Sequence, residues 1–228
     1  MTITIHRNLE QGTDAWLSAR CGLITASEMK LLLTPTLKTA DNDKTRAHVW
    51  ELLAQRITQH IEPRYINDDM MRGIESEPIA REIYANEVAV DFDVEQVGFI
   101  TNDEWGFTIG YSPDALVGDN GLWECKAPRQ KIQIETIVSG EIPAEHVLQV
   151  QTGLLVSGRD WLDFSSYNGG MYMPTYRVYP DEKLHEAILG AASSFEERIA
   201  EKMAIYEKQV ANGRMVMTER AIEEEMMQ

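Results

Sequence analysis

The sequence predicts an α/β fold in which a central mixed β-sheet is flanked by helices. Three observations predict it. Helical spacing dominates up to residue 87 and again from 181. Short alternating segments fill the stretch from 90 to 126. Helical segments then separate these from two more strands between 161 and 180. No repeat, low-complexity linker or domain boundary interrupts the order. Residues 1–228 therefore read as a single domain, with a helical C-terminal part from about 181.

The elements follow in order. DAWLSAR, 14–20, reads as a short amphipathic helix. Thr25 and Glu28 have the spacing of a capping box, which predicts a second helix running through Leu33. Residues 34–46 are polar and broken, so a loop is expected, and 47–60 are helical. A helix is expected from Glu75 to Glu87, with Pro78 in its first turn, where the missing N–H costs nothing. VDFDVEQVGFIT, 90–101, supplies one or two strands. Residues 106–110 and 114–126 supply further strands, the latter folded at Gly118-Asp119-Asn120-Gly121. Residues 129–138 and 143–157 read as helices. WLDFSSYN (161–168) and TYRVYP (175–180) read as a strand pair, and 181–211 as one long helix. MTERAIEEEMMQ closes the chain as an acidic, Met-rich short helix.

Composition removes several function classes. No apolar run reaches the length of a membrane span, and the N-terminus lacks a signal peptide's apolar core. Cys21 and Cys125 read as free thiols, which fits a cytosolic protein. Two thiols cannot hold an iron–sulfur cluster, and the five histidines lack ligand spacing. The net charge of −16 has the wrong sign for a plain nucleic-acid binder. Its distribution is uneven: residues 61–126 carry 15 acidic groups against 4 basic ones. Solvated acidic faces explain most of that excess, and carboxylates gathered for a divalent cation explain some of it.

The chemistry concentrates in SPDALVGDNGLWECKAP, Ser112 to Pro128. Glu124 and Lys126 are two apart on a strand and share a face, while the Cys125 side chain points the other way. Asp114 joins them only if the hairpin loop has an odd number of residues. A three-residue loop, Gly118–Asn120, places Asp114 opposite Glu124, whereas a two-residue loop turns it away. In the first register two carboxylates and an ammonium converge. Such a pair can bind Mg2+, which takes oxygen ligands and keeps several waters. Lys126 can orient or deprotonate a water, or stabilise developing charge. The bland alternative is a surface Glu and Lys on an ordinary hairpin.

Three further stretches accompany the hairpin. In RCGLITASE, Arg20 precedes a helix start carrying Thr25 and Ser27, a combination that can grip a phosphate; an ordinary capped helix is the plain alternative. In RGIESEP, Glu77 at a helix start is a third candidate ligand, or simply a solvated acid favoured by the helix dipole. Gln149-Val150-Gln151 offers amides to the active-site strand, although surface glutamines are commonplace.

These four stretches, in this order over residues 10–165, resemble the lambda exonuclease family of phage recombination nucleases. That family has the PD-(D/E)xK, restriction-endonuclease-like core. The resemblance implies that Glu77, Asp114 and Glu124 are metal ligands, with the Cys125 backbone carbonyl as an extra one. It implies that Lys126 is the catalytic lysine and that Gln151 supports the nucleophile or phosphate. Arg20, Ser27 and Thr25 would hold a 5′-terminal phosphate. The implied cofactor is Mg2+, as one ion or two, with Mn2+ as a substitute. The implied activity is 5′-to-3′ digestion of one strand of linear double-stranded DNA, leaving 3′ tails. The implied partners are DNA ends, two further copies in a homotrimer, and a single-strand annealing protein. The alternatives are an endonuclease of the same fold and a non-catalytic protein that binds DNA ends.

Overall fold

The computed structural model describes residues 2–63, 65 and 67–220. Its strands form two sheets rather than the one expected. The first has the order β1-β4-β5-β2, from Ile3–His6, Phe99–Asn102, Ile109–Tyr111 and Ile24–Thr25. The second has the order β3-β6-β7-β8-β9, from Val94–Glu95, Ala115–Val117, Gly121–Lys126, Trp161–Ser166 and Thr175–Val178. Both are mixed: β2 runs parallel to β5, and β7 parallel to β8. The α/β class and the flanking helices are as the sequence predicts.

Strand β7 is the centre. It is buried along its length except at Lys126. One face packs on helix α3, Asp68–Glu87, where Ala80 and Tyr84 meet Ala115, Val117, Trp123 and Cys125. Tyr84 stacks on Trp123 with ring centroids 5.1 Å apart. The other face joins the main core through Leu116, Leu122, Leu162 and Phe164. Helix α5, Ala144–Ser157, covers that face and also packs on β4 and β5 of the first sheet. Gly153 allows the close approach, because a Cβ there would lie 2.7 Å from the Tyr111 ring.

The remaining helices match their sequence signals with three differences. Helix α1, Asp14–Arg20, has the expected bounds, and its Thr13 hydroxyl accepts from Trp16 N. Helix α2, Asp43–Thr58, begins inside the expected loop because the Asn42 side chain caps it. Helix α3 begins at Asp68, not Glu75, capped by Asn67 with Asp68 and Asp69 in its first turn. Pro78 therefore lies in the helix interior, and Glu77 sits near the middle rather than at the start. Residues 26–31 form a 3-10 helix in place of the expected α-helix. Its Thr25 makes no side-chain cap; the hydroxyl donates instead to Glu28 Oε2 at 2.8 Å. Helix α4, Gln130–Ser139, and helix α6, Glu182–Asn212, complete the set. The expected C-terminal helix falls mostly on 221–228, outside the described residues.

Candidate active site

The hairpin has the register that gathers the acids. Val117 stands opposite Gly121 and Ala115 opposite Trp123, so the loop is Gly118, Asp119 and Asn120, and Asp114 falls opposite Glu124. Gly118 takes the left-handed position, with φ of 51°.

Glu124 is 1 % exposed, and its carboxylate is saturated with donors. Oε1 accepts from Lys126 Nζ at 2.6 Å and from Gln149 Nε2 at 2.5 Å. Oε2 accepts from the Tyr111 hydroxyl at 2.8 Å. A buried charge needs such partners. Asp114 Oδ2 accepts from Cys125 N at 2.6 Å. That bond shows which way Cys125 faces. Strand β6 has ended there, and a strand residue points its N–H and C=O to the same side. The Cys125 carbonyl therefore lies on the Asp114 side, beside a cleft of about 510 Å3 that Asp114, Cys125, Lys126 and Glu77 line. The Cys125 thiol belongs to the opposite, apolar face. Burial, then the Asp114 charge, pushes that thiol far up, which leaves it inert.

Glu77 reaches the cleft from α3, on the other face of the sheet. Arg81 Nη1 lies 3.1 Å from Glu77 Oε1 and also 3.1 Å from the Asp114 carbonyl. The three carboxylates feel one another. Burial, then Glu124, pushes Asp114 well above the usual carboxylate range. Burial raises Glu77, Arg81 opposes, and Glu124 raises it further. Burial works against the Lys126 charge, but Glu124 and Asp114 outweigh it and hold the ammonium above the usual lysine range.

These residues fit a hard divalent cation in part. Buried carboxylates that repel one another gain from such an ion. Yet among the described residues no three His, Cys, Asp or Glu side chains form a metal-holding group. The reason is local: Glu77 is turned to Arg81, and Glu124 is occupied by Lys126, Gln149 and Tyr111. Mg2+ tolerates this, because one or two carboxylates, waters and a substrate phosphate complete its shell.

Gln151 is not part of the cluster. Its Nε2 donates to Tyr179 O at 2.9 Å, and its Oε1 accepts from Asp181 N at 2.9 Å, so it ties α5 to the start of α6. Gln149 takes the position expected of Gln151. Two residues on a helix are about 200° apart, so only one of the pair can face Glu124.

The second expected group is adjacent. Arg20 donates to Ser112 Oγ at 3.0 Å and approaches Thr25 Oγ1 at 3.5 Å. Its guanidinium lies over the Trp16 ring, 4.3 Å from the centroid. Ser27 Oγ is 3.3 Å from Thr25 Oγ1, and Ser27 is exposed. Ser112 is two residues before Asp114, and Tyr111 touches Glu124, so the end of strand β5 and the residue that follows it serve both groups. Tyr111, Ser112 and Arg81 are polar contacts to which the sequence reading gave no role, whereas Gln149 was offered there together with Gln151.

Comparisons with known proteins bear on the fold and the family. The fold superposes on an alkaline exonuclease, LHK-Exo, from Laribacter hongkongensis with a TM-score of 0.77 at 32% identity, covering 87% of this chain and 98% of that one. LHK-Exo in complex with dAMP superposes with a TM-score of 0.78 over the same shares of both chains, again at 32% identity. A phage-related exonuclease from Haemophilus somnus 129PT shares the fold, with a TM-score of 0.57 at 11% identity over 81% of this chain and 96% of that one. No curated protein matches the sequence. Residues 15–160, which hold the carboxylate cluster, Lys126, Gln149 and the Arg20 group, match the YqaJ-like viral recombinase domain. The chain belongs to the YqaJ-like viral recombinase family.

Proposed function

We propose that this chain is a divalent-metal-dependent exonuclease that degrades one strand of linear double-stranded DNA from its 5′ end. One observation carries the reading. Asp114, Glu124 and Lys126 converge at the end of a buried strand pair, and the Arg20–Ser112 contact lies two residues from Asp114. Similarity to an alkaline exonuclease over most of both chains supports the reaction class.

Asp114, Glu124 and the Cys125 carbonyl would hold Mg2+, with Glu77 nearby. An ion bound there supplies Lewis-acid polarisation of the phosphate and a more acidic bound water. The chain's own groups do the rest. Gln149 and Tyr111 fix both oxygens of Glu124, so its carboxylate cannot swing. Lys126, placed by its bond to Glu124 Oε1, would donate to a water or a phosphate oxygen. Arg20, Thr25 and Ser27 offer donors to a terminal phosphate and register the strand end against the cluster. Digestion then leaves 3′ tails, which suit an annealing partner. A homotrimer around the duplex belongs to the same proposal, and sedimentation of the purified protein tests it.

The deciding experiment uses Mg2+ with linear duplexes carrying a 5′-phosphate or a 5′-hydroxyl, beside a closed circle. The expected result is rapid loss of the phosphorylated strand from its 5′ end, slower loss of the hydroxyl form, and an intact circle. Cleavage of the circle identifies an endonuclease. DNA binding with no digestion identifies an end-binding protein.

A further inference from the structure

Arginine placement at the mouth of the cleft points beyond the reacting cluster. Residues 61–126 carry only four basic groups among 15 acids. Arg64 lies outside the described residues. The other three, Arg72, Arg81 and Lys126, all line the cleft or touch residues that line it. In so acidic a stretch, scattering would have placed some of them elsewhere.

Arg72 and Arg129 are arranged together. Arg72 Nη1 and Arg129 Nε both donate to one oxygen, Asp69 Oδ1, each at 2.9 Å. Arg72 Nε also donates to Ala127 O at 2.9 Å. Two guanidiniums thus converge from α3 and from the residue before α4, with one carboxylate between them. Arg72 Nη2 and both Nη atoms of Arg129 have no protein partner among the described residues. Arg72 Nε also ties α3 to the end of β7, but the Arg129–Asp69 pair is exposed on both sides and contributes little to stability, so fold maintenance does not account for Arg129. Two guanidinium forks with free donors match the oxygens of a phosphodiester.

We propose that Arg72 and Arg129, spaced by Asp69, form a subsite for a DNA backbone phosphate next to the scissile one. The distance is suitable. Arg129 is three residues beyond Lys126, at most about 10 Å along extended chain, which is within a few nucleotides of the reacting phosphate. Asp69 is a positioning residue that screens the two cations from each other when DNA is absent. The proposal rests on the nuclease reading above.

The test is the salt dependence of binding to a duplex end, measured with Ca2+ in place of Mg2+ so that digestion is suppressed. Each phosphate contact adds roughly 0.9 to the slope of log K against log salt. Arg129→Gln should lower the slope by about 1 and Arg72→Gln/Arg129→Gln by about 2. The double variant should therefore lose about 12-fold less affinity than wild type between 50 and 200 mM salt. Arg129→Lys should restore the slope, which a purely structural role would not predict. Arg129 is largely exposed, so its variants keep the fold even if Arg72→Gln does not. An unchanged slope in Arg129→Gln, with wild-type digestion normal, overturns the subsite alone. A wild type that neither binds nor digests DNA ends overturns the subsite together with the nuclease reading.

Discussion

Tyr111→Phe is the most incisive change, because it removes one oxygen atom and keeps the ring. The Tyr111 hydroxyl is the donor to Glu124 Oε2, at 2.8 Å, in a site where Glu124 is 1 % exposed. Phe fills the same space against Gly153, so packing is preserved. What is lost is a hydrogen bond to a buried charged group, about 1.5–3 kcal/mol. With a urea m-value of about 3 kcal/mol/M, the midpoint should fall by about 0.5–1 M at pH 7. The freed oxygen also lets the carboxylate rotate. Weakening the support of a metal ligand costs about 10–100-fold in metal affinity or activity, so the Mg2+ concentration for half-maximal digestion should rise. Urea titration without metal and Mg2+ titration of digestion read the two effects separately. A midpoint within about 0.2 M of wild type, with an unchanged Mg2+ requirement, would refute the claim that Tyr111 holds Glu124.

Three other changes test neighbouring parts. Gln149→Ala should lower digestion by at least 10-fold and, like Tyr111→Phe, cost up to about 1.5–3 kcal/mol by removing a donor to Glu124, whereas Gln151→Ala should cost about 2 kcal/mol by unpairing Tyr179 O and Asp181 N, with activity largely kept; paired activity and unfolding assays read the contrast in activity at similar stability loss. Gly153→Ala should destabilise by about 1–3 kcal/mol and impair digestion, since the new Cβ would lie 2.7 Å from a Tyr111 ring pinned by its own hydrogen bond. Burial, then Lys126, lowers the His146 pKa from 6.5 to about 4, so the unfolded chain takes the proton first as pH falls. Stability should drop between pH 6.5 and 4 by up to about 3 kcal/mol from this group, and the gap between wild type and His146→Gln should narrow or reverse over that window in urea melts.

Local signals made part of the site legible. The odd-numbered loop at Gly118–Asn120 and the period of a strand placed Asp114 with Glu124 and Lys126, and the structure has that register. Helix α1 was readable from its spacing, and its bounds are those expected. Errors came where one signal hid another. Pro78 suggested a helix start, but Asn67-Asp68-Asp69 is an equally good start ten residues earlier, and the helix tolerates its proline. Thr25 and Glu28 have capping-box spacing, yet the two side chains bond each other, and the segment is a 3-10 helix. Other features depend on contacts that no local window contains. Strand β1 pairs with β4 across almost 100 residues, and β2 is only two residues long. Tyr111 gains its role because α5 draws the two sheets together through Gly153. Choosing Gln149 over Gln151 requires the rotation of α5 about its axis, which the Tyr179 and Asp181 contacts fix.

The central claim is that the Glu124–Lys126 pair at the end of β7 performs DNA hydrolysis. The direct measurement is Mg2+-dependent release of nucleotides from a 5′-phosphorylated linear duplex by wild type, Glu124→Gln and Lys126→Ala, each shown to be folded by circular dichroism. The account predicts release by wild type and a loss of at least about 100-fold in each variant, with DNA-end binding retained. Equal release by all three proteins would contradict it and move the chemistry elsewhere in the chain.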